Sequence, residues 1–315
     1  MNVSLEALDH VRLNFSGSGL LFLNISLAFI MFGVALDIYF QHFKDVLRKP
    51  ASVIVGIVSQ FVLLPALTFL LVWLINPTPT VALGMILVAS CPGGNISNFM
   101  SSMAKGNAAL SVSLTAFSTL SAIFMTPLNF SLWGGLYIDF YNAKGVADLV
   151  RPLEIDKAQM FQTVFILLGL PVLLGLYFSD KFPKTTERIK KPIKTASILF
   201  FVLMVVAMLS ANFSHFVKYV HLVFIIVFLH NGLALATGFF FSSLTRRSRF
   251  DRRAITIETG IQNSGLALAL IFNPKIFPPE LELGGMAIIA AWWGIWHIVS
   301  GLGIATLWSK KPVFA

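Results

Sequence analysis

The chain has 315 residues, of which 57% are hydrophobic and only 12% charged. That balance excludes an ordinary soluble domain, whose charged share is about twice as large, and the lone cysteine, Cys91, excludes an intrachain disulfide or a cysteine-built zinc site. The formal charge of +9 falls mainly in the segments between apolar runs, as in membrane proteins, so the expected partner is a lipid bilayer and not a nucleic acid.

In chain order, the first 17 residues carry Glu6, Asp9 and Arg12 without a basic run ahead of an apolar stretch, so no cleavable signal peptide is expected. Nine apolar runs follow, each long enough for a membrane helix: Leu20 to Phe40, Ser52 to Ile75, Val81 to Met103, Ala108 to Trp133, Phe161 to Phe178, Thr195 to Ala211, Val220 to Phe241, Ala254 to Phe272 and Met286 to Leu307. The expected fold is therefore an all-α integral membrane protein of nine helices, one polytopic domain over residues 1–315, with one sizeable loop from Tyr137 to Met160. Of the 23 Lys and Arg residues, 17 follow odd-numbered runs, in clusters such as Lys181 to Lys194 and Arg246 to Arg253. Those segments are predicted to be cytoplasmic, with the N-terminus outside and the C-terminus inside, in the inner (plasma) membrane.

Two runs are unlike the others. The third turns at Cys91-Pro-Gly-Gly-Asn-Ile-Ser-Asn98, and the eighth at Glu258-Thr-Gly-Ile-Gln-Asn-Ser-Gly265. Pro92 removes a backbone donor, and Gly93, Gly94 and Gly260 weaken helix, so both runs are predicted to break near mid-membrane. Either alone reads equally well as a kink. Together, with polar clusters at both breaks, they are the pattern of a secondary transporter with inverted repeats.

Glu258 tips the balance. Of the 14 acidic residues it alone lies well inside a run, and no Lys or Arg sits at its depth. A carboxylate there costs about 2.5 kcal/mol or more unless neutralised. A sodium ion or a proton is the natural partner. Oxygen donors gather nearby: Ser97 and Asn98 at the first break, Gln262, Asn263 and Ser264 at the second, and Ser111 and Thr115 on one face of the fourth run. His230 and His297, isolated in their runs, read as packing and hydrogen-bonding residues. Protease, esterase and nucleotide-binding motifs are absent, so no enzymatic activity is expected.

Three stretches carry a family likeness: Ser90 to Asn98, Gly106 to Thr115 and Ile257 to Leu266, with Ser59-Gln60 and Leu229-His-Asn-Gly232 in support. The chain resembles the bile acid:sodium symporter family over nearly its whole length. The resemblance implies two sodium ions as coupling ions. The first would be held by Ser97, Asn98, Ser111, Thr115 and Glu258, and the second by Gln60, Glu258 and Gln262 with carbonyls of Thr259 and Ile261. It also implies a panel of residues 20–40, 161–178 and 195–211 moving against a core of the other six helices, in a nine-span version lacking the first span of ten-span members.

With Glu258 at −1, two sodium ions leave a net +1 for a monoanionic substrate to neutralise. The carboxylate or sulfonate is expected at amides around Gly94, Asn95 and Asn263, with His297 in the substrate-binding set. Ile298 follows His297 where some bacterial members have Asn, which leaves a small carboxylate, a sulfonate and a sterol-like anion all open. The expectation is sodium-coupled symport of an organic anion by alternating access, performed by a monomer. A proton-coupled transporter of the same fold and a membrane-bound enzyme or sensor are the alternatives.

Overall fold

A computed structural model describes residues 2–10, 17–36, 50–94, 96–143, 156–211, 213–278 and 281–310. All regular elements among the described residues are helices, with no strand. They form α1 (Asn2–Asp9), α2 (Gly17–Ala35), α3 (Pro50–Ile75), α4 (Pro79–Ser90) and α5 (Ile96–Met103). Next come α6, from Ala108–Asn129 on through Gly135–Ala143, α7 (Lys157–Lys181), α8 (Pro183–Ala211) and α9 (Phe213–Leu244). The chain closes with α10 (Arg249–Gly260), α11 (Ser264–Ile271) and α12 (Gly284–Ser309).

Five helices among the described residues are long and apolar enough to cross a bilayer: Pro50–Ile75, Ala108–Tyr141, Lys157–Lys181, Val217–Leu244 and Gly284–Ser309. The third and eighth runs each divide into two short helices, as expected, and the first is described only as far as residue 36. Trp73, Leu74, Phe124, Leu128, Leu174 and Phe240 are strongly exposed, a surface suited to lipid tails.

Helix ends depart from the hydropathy reading. α6 runs ten residues past the expected Trp133, which shortens the expected loop, and α8 begins at Pro183, twelve residues before Thr195. Hydropathy marks where the bilayer ends, whereas backbone hydrogen bonding carries the charged turns on into water. Two leucines also make a helix that was not expected: α1 buries Leu5 and Leu8 against α4, α9 and α12.

Proline shapes α3 where it matters for the site. Pro65 has no N–H to offer the Phe61 carbonyl four residues earlier. The turn before it widens to a π turn at Ser59–Leu63 that contains Gln60, and Asn129 Nδ2 from α6 donates to Phe61 O at 2.9 Å. Single π turns of this kind collect at functional sites. Replacing Asn129 with Leu withdraws that donor from a buried carbonyl. The expected cost is about 1–3 kcal/mol, read as a lower thermal midpoint, and an unchanged midpoint would refute this role.

Two groups of helices stand out by their packing, joined where α7 lies along α6. α2 lies against α7 and α8, while α4 packs on α3 and α12, and α9 on α10 and α12. Close approach in the first group rests on small residues: a Cβ on Gly175 would lie 2.6 Å from Ala35 Cβ. α1 is covalently joined to α2 yet packs on the second group. Its Asp9 Oδ1 accepts from Thr80 N at 3.1 Å and Thr80 Oγ1 at 2.5 Å, capping the first turn of α4.

Burial raises the Asp9 carboxyl above its ordinary 3.8, against the hydrogen bonds from Thr80. A carboxyl raised on folding contributes stability at low pH that is lost as pH rises through the folded value. Thermal midpoints are therefore expected to fall with rising pH from about 4 upward, and Asp9→Asn to flatten that slope. An equal slope in both proteins would contradict it.

Candidate functional site

The two breaks cross each other in the interior. Gly93 and Gln262 form an isolated antiparallel bridge, with Gly94 N donating to Ile261 O at 2.7 Å and Asn263 N to Pro92 O at 2.8 Å. Each unwound segment thus satisfies the other's backbone, the condition for irregular chain inside hydrocarbon. Side chains satisfy further ends. Asn231 Nδ2 from α9 donates to Gly260 O at 2.8 Å, Gln262 Nε2 to Thr259 O at 2.7 Å, and Gln60 Nε2 to Cys91 O at 2.9 Å. Asn263 Oδ1 accepts from Leu266 N at 3.0 Å and caps α11.

The five residues of the first expected cation set meet in one cluster beside the crossing. Ser97 Oγ donates to Glu258 Oε2 at 2.5 Å, and Thr115 Oγ1 lies 2.9 and 3.1 Å from the two Glu258 oxygens. Asn98 Oδ1 is 2.9 Å from Ser111 Oγ and 3.1 Å from Thr115 Oγ1. Ser97, Ser111, Thr115 and Glu258 are buried and Asn98 half-buried. Thr115 Oγ1 has one proton, yet both Glu258 oxygens, Asn98 Oδ1 and the Ser111 carbonyl stand within 3.1 Å of it. Lone pairs outnumber hydrogens, and a hard cation is what such an oxygen cluster suits. Among the described residues no Lys or Arg pairs with Glu258.

The second set forms a separate polar knot. Gln60 Nε2 donates to Gln262 Oε1 at 2.8 Å, which leaves Gln60 Oε1 buried without a hydrogen-bond partner. An orphaned acceptor in the interior costs about 1–3 kcal/mol, and a cation would relieve it. The Thr259 and Ile261 carbonyls lie in the same break, each holding one donor and a second lone pair. Gln60 and Gln262 contact both breaks, but neither hydrogen-bonds Glu258. Gly93 fixes how closely the first break meets the carboxylate, since a Cβ there would stand 2.5 Å from Glu258 Oε1.

The expected anion set is less gathered. The Gly94 and Asn263 amides are engaged across the crossing and so are not open donors in this arrangement. Asn95 lies outside the described residues. Asn263 Nδ2 reaches Met31 Sδ on α2 at 4.0 Å, which places this residue where the two helix groups meet. His297 is buried on α12 with Nδ1 unpartnered. His230 bonds Thr68 Oγ1 at 2.9 Å and packs its ring on Trp293, as a packing residue would.

Sequence reading did not identify Ser101, whose hydroxyl lies 3.1 Å from Ser111 Oγ. It also missed the role of Asn231, which braces Gly260 O and accepts from Ser300 Oγ at 2.6 Å. One polar residue in an apolar run carries no sign of which distant carbonyl it faces. Asn231→Ala is expected to unpair Gly260 O at the end of α10 and lower thermal stability by about 1–3 kcal/mol, and no measurable change would exclude the brace.

Broken helices crossing within a bundle of long apolar helices, around a buried carboxylate with no cationic partner among the described residues and a ring of neutral oxygens, define a polytopic membrane protein of the secondary-transporter class. The chain belongs to the sodium bile acid symporter family, whose model matches residues 24–219. It is 33% identical over 293 residues to the uncharacterized sodium-dependent transporter YocS of Bacillus subtilis, covering 92% of this chain and 84% of that one. It is 30% identical over 280 residues to a probable chloroplastic sodium/metabolite cotransporter, BASS2, of Oryza sativa subsp. japonica, covering 85% and 63%. The ileal sodium/bile acid cotransporter of Cricetulus griseus is 28% identical over 259 residues, covering 80% and 70%. Sodium-dependent transport is thus the family's activity.

Proposed function

We propose that this protein carries an organic anion across the membrane together with two sodium ions, by alternating access. The observation that supports this reading most is the Glu258 carboxylate, buried at the crossing, ringed by neutral oxygens and without a cationic partner among the described residues. One ion belongs at Ser97, Asn98, Ser111, Thr115 and Glu258. The other belongs at Gln60, Glu258, Gln262 and the Thr259 and Ile261 carbonyls, beside the orphaned Gln60 Oε1.

Two ions against one carboxylate leave a net +1, so cation binding creates the field that attracts a monoanion. The anion belongs near Gly94, Asn95, Asn263 and His297. There the N-termini of α5 and α11 supply partial positive charge, and Asn263 faces α2. In this reading nine crossings are completed by α2, α8 and the two broken pairs. The panel α2, α7 and α8 rocks against the remaining core, in an inner (plasma) membrane with the N-terminus outside, and the unit is a monomer. The relatives' printed names, sodium/metabolite and sodium/bile acid, support an organic anion as cargo and leave its kind open.

The test is uptake by sealed proteoliposomes of bile acids, small carboxylates and sulfonates, with sodium or choline outside. Sodium-dependent accumulation of at least one anion is expected. Accumulation driven by a pH gradient alone would replace sodium with protons. Product formation without accumulation would point to an enzyme.

A further inference from the structure

One turn at the start of α10 ties together four other helices. Asp251 Oδ1 accepts from Asn107 Nδ2 at 2.7 Å, and Oδ2 accepts from Ser52 Oγ on α3 at 2.8 Å. Asn107 is the N-cap of α6, its Oδ1 accepting from Leu110 N at 3.0 Å, and its own N–H donates to Phe250 O at 3.0 Å. Two residues on, Arg253 Nη1 donates to Ala104 O just beyond α5 at 2.6 Å and to Trp308 O on α12 at 3.2 Å. Its guanidinium stacks 5.6 Å from the Trp308 ring centre. Gly106 closes the corner, donating to Ser101 O at 2.8 Å in a place where a Cβ would stand 3.3 Å from Ala254 N and Arg253 Cβ.

The spacing from this clasp to the oxygen cluster is nearly equal along three elements. Glu258 lies two turns beyond Asp251 on α10, Ser97 two turns back from Ala104 on α5, and Thr115 two turns beyond Asn107 on α6, each about 10–12 Å at 1.5 Å per residue. α5 and α10 are short, of 8 and 12 residues, and both end at the crossing. Helices of that length are marginal on their own and take their order from what holds them. Their far ends are held here. The three elements that supply the first cation cluster therefore share one footing, and a shift of a few tenths of an ångström there is carried directly to the oxygens.

We propose that Asp251 and Arg253 are positioning residues for cation binding, setting the geometry of the Ser97, Ser111, Thr115 and Glu258 cluster from two turns away. This rests on the sodium reading above. The hydrogen bonds described for the two side chains go to Ser52, Asn107, Ala104 and Trp308, outside that cluster. They act through helix placement.

The experiment titrates the purified full chain with sodium chloride, choline chloride holding ionic strength, and follows the thermal midpoint of wild type, Asp251→Asn, Arg253→Lys and Ser52→Ala. Arg246→Gln, at an exposed arginine between α9 and α10, is the control. The sodium concentration giving half the stabilisation is expected to rise about fivefold in Asp251→Asn and Arg253→Lys, by less in Ser52→Ala, and not in the control. A lower midpoint in choline with an unchanged sodium concentration for half-stabilisation would make the clasp merely structural and overturn the proposal. If Asp251→Asn does not fold, Arg253→Lys and Ser52→Ala carry the same comparison.

Amide exchange without sodium separates this proposal from the sodium reading. Faster exchange across 96–103 and 254–260 is expected in the clasp variants, and unchanged exchange overturns the proposal. A wild type blind to sodium sinks the sodium reading, with the exchange arm still judging the clasp.

Discussion

Glu258→Gln is expected to shift the sodium response to at least about tenfold higher sodium while leaving the protein folded, and to raise its thermal midpoint in choline. Gln has nearly the shape of Glu and keeps an oxygen for the Ser97 and Thr115 hydroxyls, which stand 2.5 to 3.1 Å from the carboxylate. What it removes is a buried charge with no cationic partner among the described residues. Such a charge is costly without a counter-ion, so its loss stabilises the protein without sodium. With sodium, the loss of a charged ligand worth about 1.5–3 kcal/mol weakens binding roughly 10- to 150-fold. Both proposed ions share this ligand. Thermal melts in sodium and in choline read both effects in one experiment. A variant that keeps the wild-type sodium dependence would remove Glu258 from the cation site.

Gly93→Ala has the second large effect. The added methyl would stand 2.5 Å from Glu258 Oε1, 3.0 Å from its Cδ and 3.3 Å from its backbone oxygen. The carboxylate is held by two hydroxyls, and Gly93 is itself held in the bridge to Gln262. Something must shift, at a cost of about 1–3 kcal/mol, and the atoms that shift are the proposed ligands. Loss of sodium-dependent stabilisation with unchanged helical content is expected. Gly303→Ala, where nothing lies within 4 Å of the new methyl, is expected to behave as wild type. Equal behaviour of the two variants would contradict the close approach.

The breaks were legible in the sequence because Pro92, Gly93 and Gly260 have unambiguous backbone consequences, and Glu258 because no partner lay near it in depth. Ser111 and Thr115 were legible from their spacing on one face. Gln60 was not: its meeting with Gln262 joins residues 202 apart in sequence, and only the family likeness pointed to it. Nor could hydropathy find the true ends of α6 and α8, the helix α1, or the work of Asn129, Asp251 and Arg253. Those depend on which carbonyls are left open once helices pack, which local pattern does not encode. The same limit explains the Gly94 and Asn263 amides. Their positions at the breaks suggested open donors, but each break uses the other's amide to satisfy itself.

Saturable binding of radioactive sodium to the purified chain, displaced by unlabelled sodium and not by choline, tests the central claim most directly. Two ions per chain are predicted for wild type, with binding weakened at least about tenfold in Glu258→Gln. Absence of saturable binding, or equal binding in the variant, would contradict it.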